Sequence, residues 1–165
     1  MKKARFRDQF GSVFEHSAWV ADAVFENNVE MTSSDPDADV LMKCFVSEFM
    51  AASRDLQLAT LRSHPELACS LDDRTYLTTD SMLEQTGAGL DLCSETEFAE
   101  FGRLNTAYSE KFGFPFIIAV RGRGRQQILT IFKMRLQNDA VFEFQTALYQ
   151  VCRIAKFRIA DILNV

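Results

Sequence analysis

Apolar residues recur every three or four positions along most of this chain, and that spacing is typical of amphipathic α-helices. One apolar stripe begins just after the turn-forming Ser33-Ser34-Asp35-Pro36, and a shorter one ends just before Ser63-His64-Pro65. A further helix is expected to contain Trp19. The 15 Phe recur at the same spacing, so we expect them in the core. The two stripes are Val40, Leu41, Cys44, Phe45, Phe49 and Met50, followed by residues Leu56 to Leu61.

The periodicity is lost between Cys69 and Thr79, which predicts a polar connecting loop. Thr79-Asp80-Ser81 should then open a brief helix that Gly87 and Gly89 end.

Two longer helices are predicted in the second half of the chain. Ser94-Glu95-Thr96-Glu97 is a capping box, and Gly113 predicts the end of the helix behind it. Asn138-Asp139 offers a cap for the last and longest helix. The stripes behind these caps are Phe98, Phe101, Leu104, Tyr108 and Phe112, and then Val141, Phe144, Leu148, Val151, Ala155, Ile159 and Ile162.

The segment from Phe114 to Val120 breaks the helical pattern because it is continuously apolar. Pro115 and the glycines of Arg121-Gly122-Arg123-Gly124-Arg125 bracket it, so we predict a buried extended stretch followed by a solvated turn. Its backbone N–H and C=O groups lack ladder partners and must bond either a polar ligand or side chains and water. The chain is therefore predicted to be an all-α, single-domain helical bundle over residues 1–165, with one short extended segment near 114–120.

Charge and apolar content narrow the possible functions. With 18 Lys and Arg against 23 Asp and Glu, the net charge is −5, which disfavours a general nucleic-acid-binding protein. No apolar run is long enough to span a membrane, and Phe6-Arg7-Asp8-Gln9 stands where a signal peptide would be apolar. We therefore expect a cytoplasmic protein without nucleic-acid or membrane partners.

The possible metal ligands are scattered along the chain. The four cysteines include no C-x-x-C pair and there are only two histidines, so a zinc site is disfavoured and free, buried thiols are expected. P-loop, nucleophile-elbow and H-E-x-x-H motifs are also absent from the sequence. We expect no metal. The cysteines are Cys44, Cys69, Cys93 and Cys152.

Of the two histidines, His64 has the more constrained setting. Histidine exchanges protons near neutral pH, and Pro65 fixes the backbone beside His64 at the end of a helix. A helix C-terminus favours a protonated imidazole, which suits a proton donor, although a structural role fits equally well on this ground alone. His16, in Phe14-Glu15-His16-Ser17, is expected to be a capping or core residue.

Ser81, Glu84 and Gln85 are spaced i, i+3 and i+4, which places them on one face of the predicted helix. A hydroxyl, a carboxylate and an amide on one face can bond a small polar ligand. By spacing alone, a solvated first turn in which Glu84 interacts with the helix dipole is the simpler interpretation.

Six stretches, in order over nearly the whole chain, carry a family resemblance. They are Phe14-Glu15-His16-Ser17-x-Trp19, His64-Pro65-Glu66-Leu67-Ala68, Ser81-x-x-Glu84-Gln85-x-Gly87-Ala88-Gly89-Leu90-Asp91, Leu104-Asn105-x-x-Tyr108-x-x-Lys111-Phe112-Gly113-Phe114-Pro115-Phe116-Ile117-Ile118-Ala119-Val120-Arg121-Gly122, Arg135-Leu136-x-Asn138 and Arg153-Ile154-Ala155-x-Phe157-Arg158. Together they resemble the 2-oxo-4-hydroxy-4-carboxy-5-ureidoimidazoline (OHCU) decarboxylase family. The sequence departs from the family pattern at Ala18 and Cys69, where proline and glycine are usual.

The resemblance implies an all-α homodimer that catalyses the last step from urate to allantoin. The substrate would be a small anionic imidazoline with a carboxylate, a hydroxyl and a ureido arm. Loss of carbon dioxide leaves a carbanion-like centre, and the adjacent C=N and carbonyl groups accept its electrons, so no cofactor is needed. Protonation on one face then gives (S)-allantoin.

The resemblance also implies a role for each site residue. His64 would be the acid that delivers the proton, and Glu84 would accept a hydrogen bond from the substrate hydroxyl and orient the ring. Arg158, or alternatively Arg121, would bind the anionic charge. The other expected substrate-binding residues are Pro65, Ser81, Met82, Leu83 and Gln85, with the backbone of Phe116, Ile117, Ile118, Ala119 and Val120 for the ureido arm.

Two other functions stay open at this stage. A hydrolase of a related ureido or imidazoline compound could use His64 and Glu84 to activate water. A non-catalytic helical binding module could use the Phe-rich stripes as a groove for a partner.

Overall fold

The computed structural model describes residues 2–28, 37–68 and 77–165. Within these ranges the chain forms eight α-helices and no β-strand, so the all-α prediction is confirmed. The predicted turn at Ser33–Pro36, the loop from Cys69 as far as residue 76, and the Cys69 thiol lie outside the described residues. The helices are α1 (Lys3–Phe10), α2 (Trp19–Asn27), α3 (Ala38–Ala51), α4 (Arg54–Arg62), α5 (Thr79–Gly87), α6 (Glu95–Phe112), α7 (Arg125–Arg135) and α8 (Ala140–Leu163), with a 3₁₀ helix at Leu90–Leu92.

Side-chain caps start α6 and α8 where the sequence predicts them. Ser94 accepts the backbone N–H of Glu97, and Glu97 accepts the backbone N–H of Ser94, which completes the capping box of α6. Gly113 ends this helix at φ +76°, a left-handed conformation that glycine adopts without steric cost. Asp139 accepts two backbone N–H groups in the first turn of α8.

Helices α1 and α7 were not predicted. Helix α7 starts at Arg125, which the sequence analysis placed in a solvated turn, and its N-cap Gly124 has no side chain to mark a boundary. Arg125 instead donates to the carbonyl of Gly89 over 3.1 Å and pairs with Glu97 over 3.3 Å. The spacing of the buried Ile128 and Phe132 was the available signal for this helix.

The chain divides into two compact units, and the division falls within α8. The first consists of Met1–Ser63 with Leu148–Val165, and the second of His64–Ala147. A single domain over residues 1–165 stays a prediction. No helix in the described ranges is long and apolar enough to cross a membrane.

Phenylalanines form the core of the first unit, as their spacing predicts. The rings of Phe14 and Phe49 lie 4.8 Å apart, and those of Phe6 and Phe10 lie 4.9 Å apart. Phe45 contacts three of these rings, and all five side chains are buried.

His16 is exposed at φ +46° in the turn before α2, so its prediction as a capping or core residue is wrong.

The second unit has an aromatic core of its own. Phe116 stacks on Phe132 with centroids 3.7 Å apart, and Tyr108 meets both rings edge-on. These contacts bury the ring of Phe116. A few stripe positions are exposed, contrary to the predicted pattern: Met50, Leu56, Phe98 and Val141.

Candidate active site

The segment His64–Ala68 carries the candidate acid. His64 follows Ser63, the C-cap residue of α4, and its side chain is buried. Ala68, also buried, has φ +51°, a left-handed conformation that costs a residue with a Cβ roughly 1–2 kcal/mol. The surrounding structure must hold a backbone in this conformation in place.

Two amide side chains hold this segment by its backbone. Gln85 of α5 accepts the N–H of Ala68 over 3.1 Å and donates to the carbonyl of Glu66 over 3.0 Å. Asn105 of α6 donates to the carbonyl of Leu67 over 2.9 Å. Three consecutive residues just after His64-Pro65 are therefore fixed from two helices. The predicted contact between Gln85 and the substrate ring stays a prediction beside this observed role.

Helix α5 presents the predicted polar face. Ser81 and Gln85 are buried one turn apart, and Glu84 between them is half-buried. Met82 and Leu83 expose 44% and 67% of their surface, so only the Ser81–Gln85 side of the helix faces the protein. Thr78 begins α5 by accepting the N–H of Ser81 over 3.3 Å.

Residues 115–120 form neither helix nor strand, and the side chains from 116 to 120 are buried, as predicted. Side chains and a turn satisfy three carbonyls in this segment. Ile117 accepts from Arg135 over 2.6 Å, and Ala119 accepts from the Arg123 side chain over 2.6 Å. The carbonyl of Val120 accepts the backbone N–H of Arg123 over 2.9 Å.

Unlike these three carbonyls, several backbone N–H groups of the segment have no hydrogen-bond partner among the described residues. Within the described ranges, the backbone N–H groups of Phe116, Ile118 and Val120 have no hydrogen-bond acceptor in the protein. The carbonyl of Ile118 likewise has no donor there. Buried N–H and C=O groups are nearly always bonded, so these groups are open to an acceptor and a donor from a ligand.

The arginines proposed for the anionic charge have different surroundings. Arg158 lies in the first unit, is buried, and donates to Glu15 over 2.9 Å and to the carbonyl of Ser12 over 3.3 Å. Its charge is therefore balanced by a buried carboxylate. Arg121 is exposed in the turn that follows Val120.

A buried charged network was missed by the sequence analysis. Arg135 and Tyr108 enter the sequence prediction only as parts of family motifs, and Glu143 does not enter it. Glu143 is fully buried and pairs with Arg135. A carboxylate directly before Phe144 of the apolar stripe was the available signal. Among the described residues, no cluster of His, Cys, Asp and Glu is suited to a metal ion.

The sequence profile of the OHCU decarboxylase family matches residues 1–160. The chain belongs to the OHCU decarboxylase family. It is an enzyme of the carboxy-lyase type, as the resemblance implied.

Two relatives support this membership. A 2-oxo-4-hydroxy-4-carboxy-5-ureidoimidazoline decarboxylase of Haloferax volcanii is 38% identical over 156 residues, covering 94% of this chain and 88% of that protein. The uric acid degradation bifunctional protein PucL of Bacillus subtilis is 38% identical over 157 residues, but the chain spans only 30% of its length.

Solved structures agree with an OHCU decarboxylase fold. The crystal structure of an (S)-allantoin synthase superposes with a TM-score of 0.77 at 29% identity, covering 99% of this chain and 51% of that one. An OHCU decarboxylase crystallised in the presence of (S)-allantoin gives a TM-score of 0.75, covering 95% and 99%. At 21% identity, the second comparison supports the fold alone.

Proposed function

We propose that this enzyme converts 2-oxo-4-hydroxy-4-carboxy-5-ureidoimidazoline to (S)-allantoin, without a cofactor, as the last step of urate degradation. The family membership supports the reaction, and the name of the PucL relative supports the pathway. The observation that carries the residue assignment is the buried His64, whose following segment is fixed by Gln85 and Asn105.

His64 is the proposed proton donor. The bond between the substrate ring carbon and its carboxylate breaks, carbon dioxide leaves, and the electron pair moves into the adjacent C=N and carbonyl groups. His64 then protonates that carbon from one side, which gives a single enantiomer. General acid catalysis of this kind contributes roughly 10²–10⁴-fold to a rate.

Glu84 and Ser81 are the proposed orienting groups. Glu84 accepts a hydrogen bond from the substrate hydroxyl and favours the charged form of His64. Ser81, one turn from Gln85 on the buried side of α5, bonds a polar edge of the ring. Pro65, Met82 and Leu83 complete the proposed contacts of these two segments.

The backbone of residues 116–120 is the proposed site for the ureido arm. A ureido group carries one carbonyl acceptor and several N–H donors. The open N–H groups of Phe116, Ile118 and Val120 and the open carbonyl of Ile118 match that chemistry. We retain Arg158 as the proposed partner of the substrate's anionic charge, with Arg121 as the alternative.

The proposal is tested by generating the unstable substrate in situ from urate with uricase and hydroxyisourate hydrolase. Uncatalysed decay protonates both faces, so a reaction without the enzyme is the control and gives racemic allantoin. We expect the enzyme to accelerate release of carbon dioxide and to give optically active allantoin. Consumption of substrate without carbon dioxide would indicate the alternative hydrolase, and an unchanged, racemic reaction would indicate a binding module.

Assembly and location belong to the same proposal. We propose a cytoplasmic homodimer, and the family resemblance supports the dimer. Sedimentation equilibrium tests the dimer: a mass equal to one chain at micromolar concentration would contradict it.

A further inference from the structure

Arg135, Glu143 and Tyr108 form a buried network in the second unit. Arg135 of α7 donates through Nε and Nη2 to Oε1 of Glu143, over 2.8 and 2.5 Å. The Tyr108 hydroxyl donates to the same carboxylate oxygen, and Asn138 donates to the other oxygen over 2.7 Å. Tyr108 and Glu143 are fully buried, and burial is the main cause that raises the pKa of Tyr108. The carboxylate is therefore satisfied from three sides.

One arm of Arg135 leaves this network and reaches the proposed ureido site. Its Nη1 donates to the carbonyl of Ile117 over 2.6 Å, and its guanidinium lies over the ring of Phe116, 4.5 Å from the centroid. The same side chain thus contacts two consecutive residues of the segment that has open backbone groups. Arginine can do this because its planar fork offers donors in two directions at once, which lysine cannot reproduce.

We infer that Arg135, held in place by Glu143, is a positioning residue that fixes the backbone of residues 116–120 and thereby determines selectivity for ligands with a ureido arm. The inference rests on the proposed function, because it assigns that arm to this segment. Arg135 touches no reacting atom in this scheme. Its effect is transmitted through the Ile117 carbonyl, whose position sets the direction of the neighbouring Ile118 groups.

If Arg135 had a purely structural role, replacing it would change stability without changing ligand selectivity. A buried ion pair contributes little net stability compared with apolar residues of similar volume, whereas removing one partner leaves an uncompensated charge. The informative variant therefore removes the whole network: Arg135→Met, Glu143→Leu and Tyr108→Phe together. Arg135→Lys is the second variant, because it keeps the charge opposite Glu143 but loses the fork. Arg103→Met is the matched control, since Arg103 pairs with Glu100 on the exposed side of α6.

The readout compares two inhibitors that share a ring. Allantoin carries the ureido arm, and hydantoin is the same ring without it. We expect both network variants to raise the inhibition constant of (S)-allantoin by about tenfold or more, as displaced binding groups do, and to leave that of hydantoin within about twofold. The control should match the wild type for both compounds. Melting temperatures and helicity establish that each variant is folded.

The inference is overturned if a folded network variant weakens allantoin and hydantoin equally, or weakens neither. It is also overturned if the wild-type chain binds allantoin no more tightly than hydantoin. Ligand-observed NMR gives the same comparison without turnover. A wild-type chain that prefers allantoin but does not decarboxylate the substrate would reject the proposed function, and the NMR comparison would then decide the inference alone.

Discussion

His64 and Glu84 have different proposed tasks in one transition state, so their losses should not add. His64→Asn removes the proton donor and Glu84→Gln removes the charge that orients the ring. Each single change should lower turnover by about tenfold or more, the scale of a lost acid or orienting group. The double variant should be little worse than the poorer single variant, because residues that act as a unit are strongly non-additive.

The measurement for this pair is turnover of the three variants, with circular dichroism as the control for folding. Neither residue belongs to an apolar stripe, so the helices should survive both changes. Near-native turnover in folded His64→Asn would remove the proton-donor role. Additive losses would mean that the two residues act independently.

Asn105 allows a test of the fixed segment that leaves His64 itself unchanged. Asn105→Ala removes the hydrogen bond to the Leu67 carbonyl, and a typical bond of this kind contributes about 0.5–1.5 kcal/mol to stability. We expect turnover to fall several-fold, and by more than the loss of folded protein accounts for, because the segment after His64 loses one of its two anchors. Thr106→Ala is the control, because its exposed hydroxyl bonds the Gly102 carbonyl of its own helix.

For single residues, the sequence indicates which side chains are unusual but does not predict which groups they contact. Spacing places Ser81 and Gln85 on one helical face, and both are buried there. That Gln85 bonds the backbone of residues 66–68 could not be predicted, because the contact joins segments whose separation depends on the tertiary fold. Glu143 was missed for the same reason: its partner Arg135 precedes it on another helix.

Acidic residues of α6 join this helix to α7. Glu97 contacts Arg125 over 3.3 Å and Gln126 over 2.7 Å, and Glu100 contacts Lys133 over 3.0 Å. The backbone N–H of the α6 N-cap, Ser94, is the main cause that lowers the pKa of Glu97. Hydrogen bonds from Arg103 and then Lys133 lower that of Glu100 from 4.5 to about 2. The side chains of these pairs are half-buried or exposed, so salt should weaken the pairs.

The lowered pKa values predict how stability changes with pH. A carboxylate with a folded pKa below its unfolded value adds stability that is complete above the unfolded value and lost as the pH falls through the folded one. The urea concentration at the unfolding midpoint of the wild type should therefore fall as the pH is lowered from about 5 towards 2. In the Glu97→Gln, Glu100→Gln double variant the midpoint should change less. Glu110→Gln, exposed on the same helix, is the control and should follow the wild type.

Capping residues explain which elements could be predicted. The box at Ser94 and Glu97 and the cap at Asp139 give α6 and α8 definite starts, because their side chains bond the first backbone N–H groups. Helix α7 starts after Gly124 and has no such bond, so its start depends on packing. The segment 115–120 was predicted as non-helical from Pro115, but its anchoring by two arginine side chains was not.

The burial of the thiols across the molecule predicts their reactivity. Cys44 and Cys93 are half-buried and Cys152 is buried, and none of these three forms a disulfide. Burial raises the pKa of Cys152 to about 11, so little reactive thiolate forms at pH 8. We expect iodoacetamide to label Cys44 and Cys93 well before Cys152. Mass measurement without reductant should count four free thiols, including Cys69, and a disulfide required for folding would contradict this.

The two compact units raise the question of whether they unfold together. Both contribute residues to one uninterrupted helix: Phe144 and Ala147 of α8 are buried in the second unit, and Leu148 and Val151 are buried in the first. Unfolding one unit alone would create a new helix end in the middle of α8, with unbonded carbonyl or N–H groups. We therefore predict one cooperative transition.

Coincident unfolding curves from separate probes are the test of such a transition. Trp19 is the only tryptophan and lies in the first unit, so its fluorescence reports that unit. A Trp19→Phe, Phe112→Trp variant moves the probe to a half-buried position in the second unit, and far-UV circular dichroism follows all helices of either protein. In each protein, the fluorescence curve and the circular dichroism curve should share one urea midpoint, whatever the substitutions do to the stability of the variant. If fluorescence and circular dichroism give separate midpoints within one folded protein, residues 1–165 are two folding units joined through α8, and the single-domain prediction is wrong.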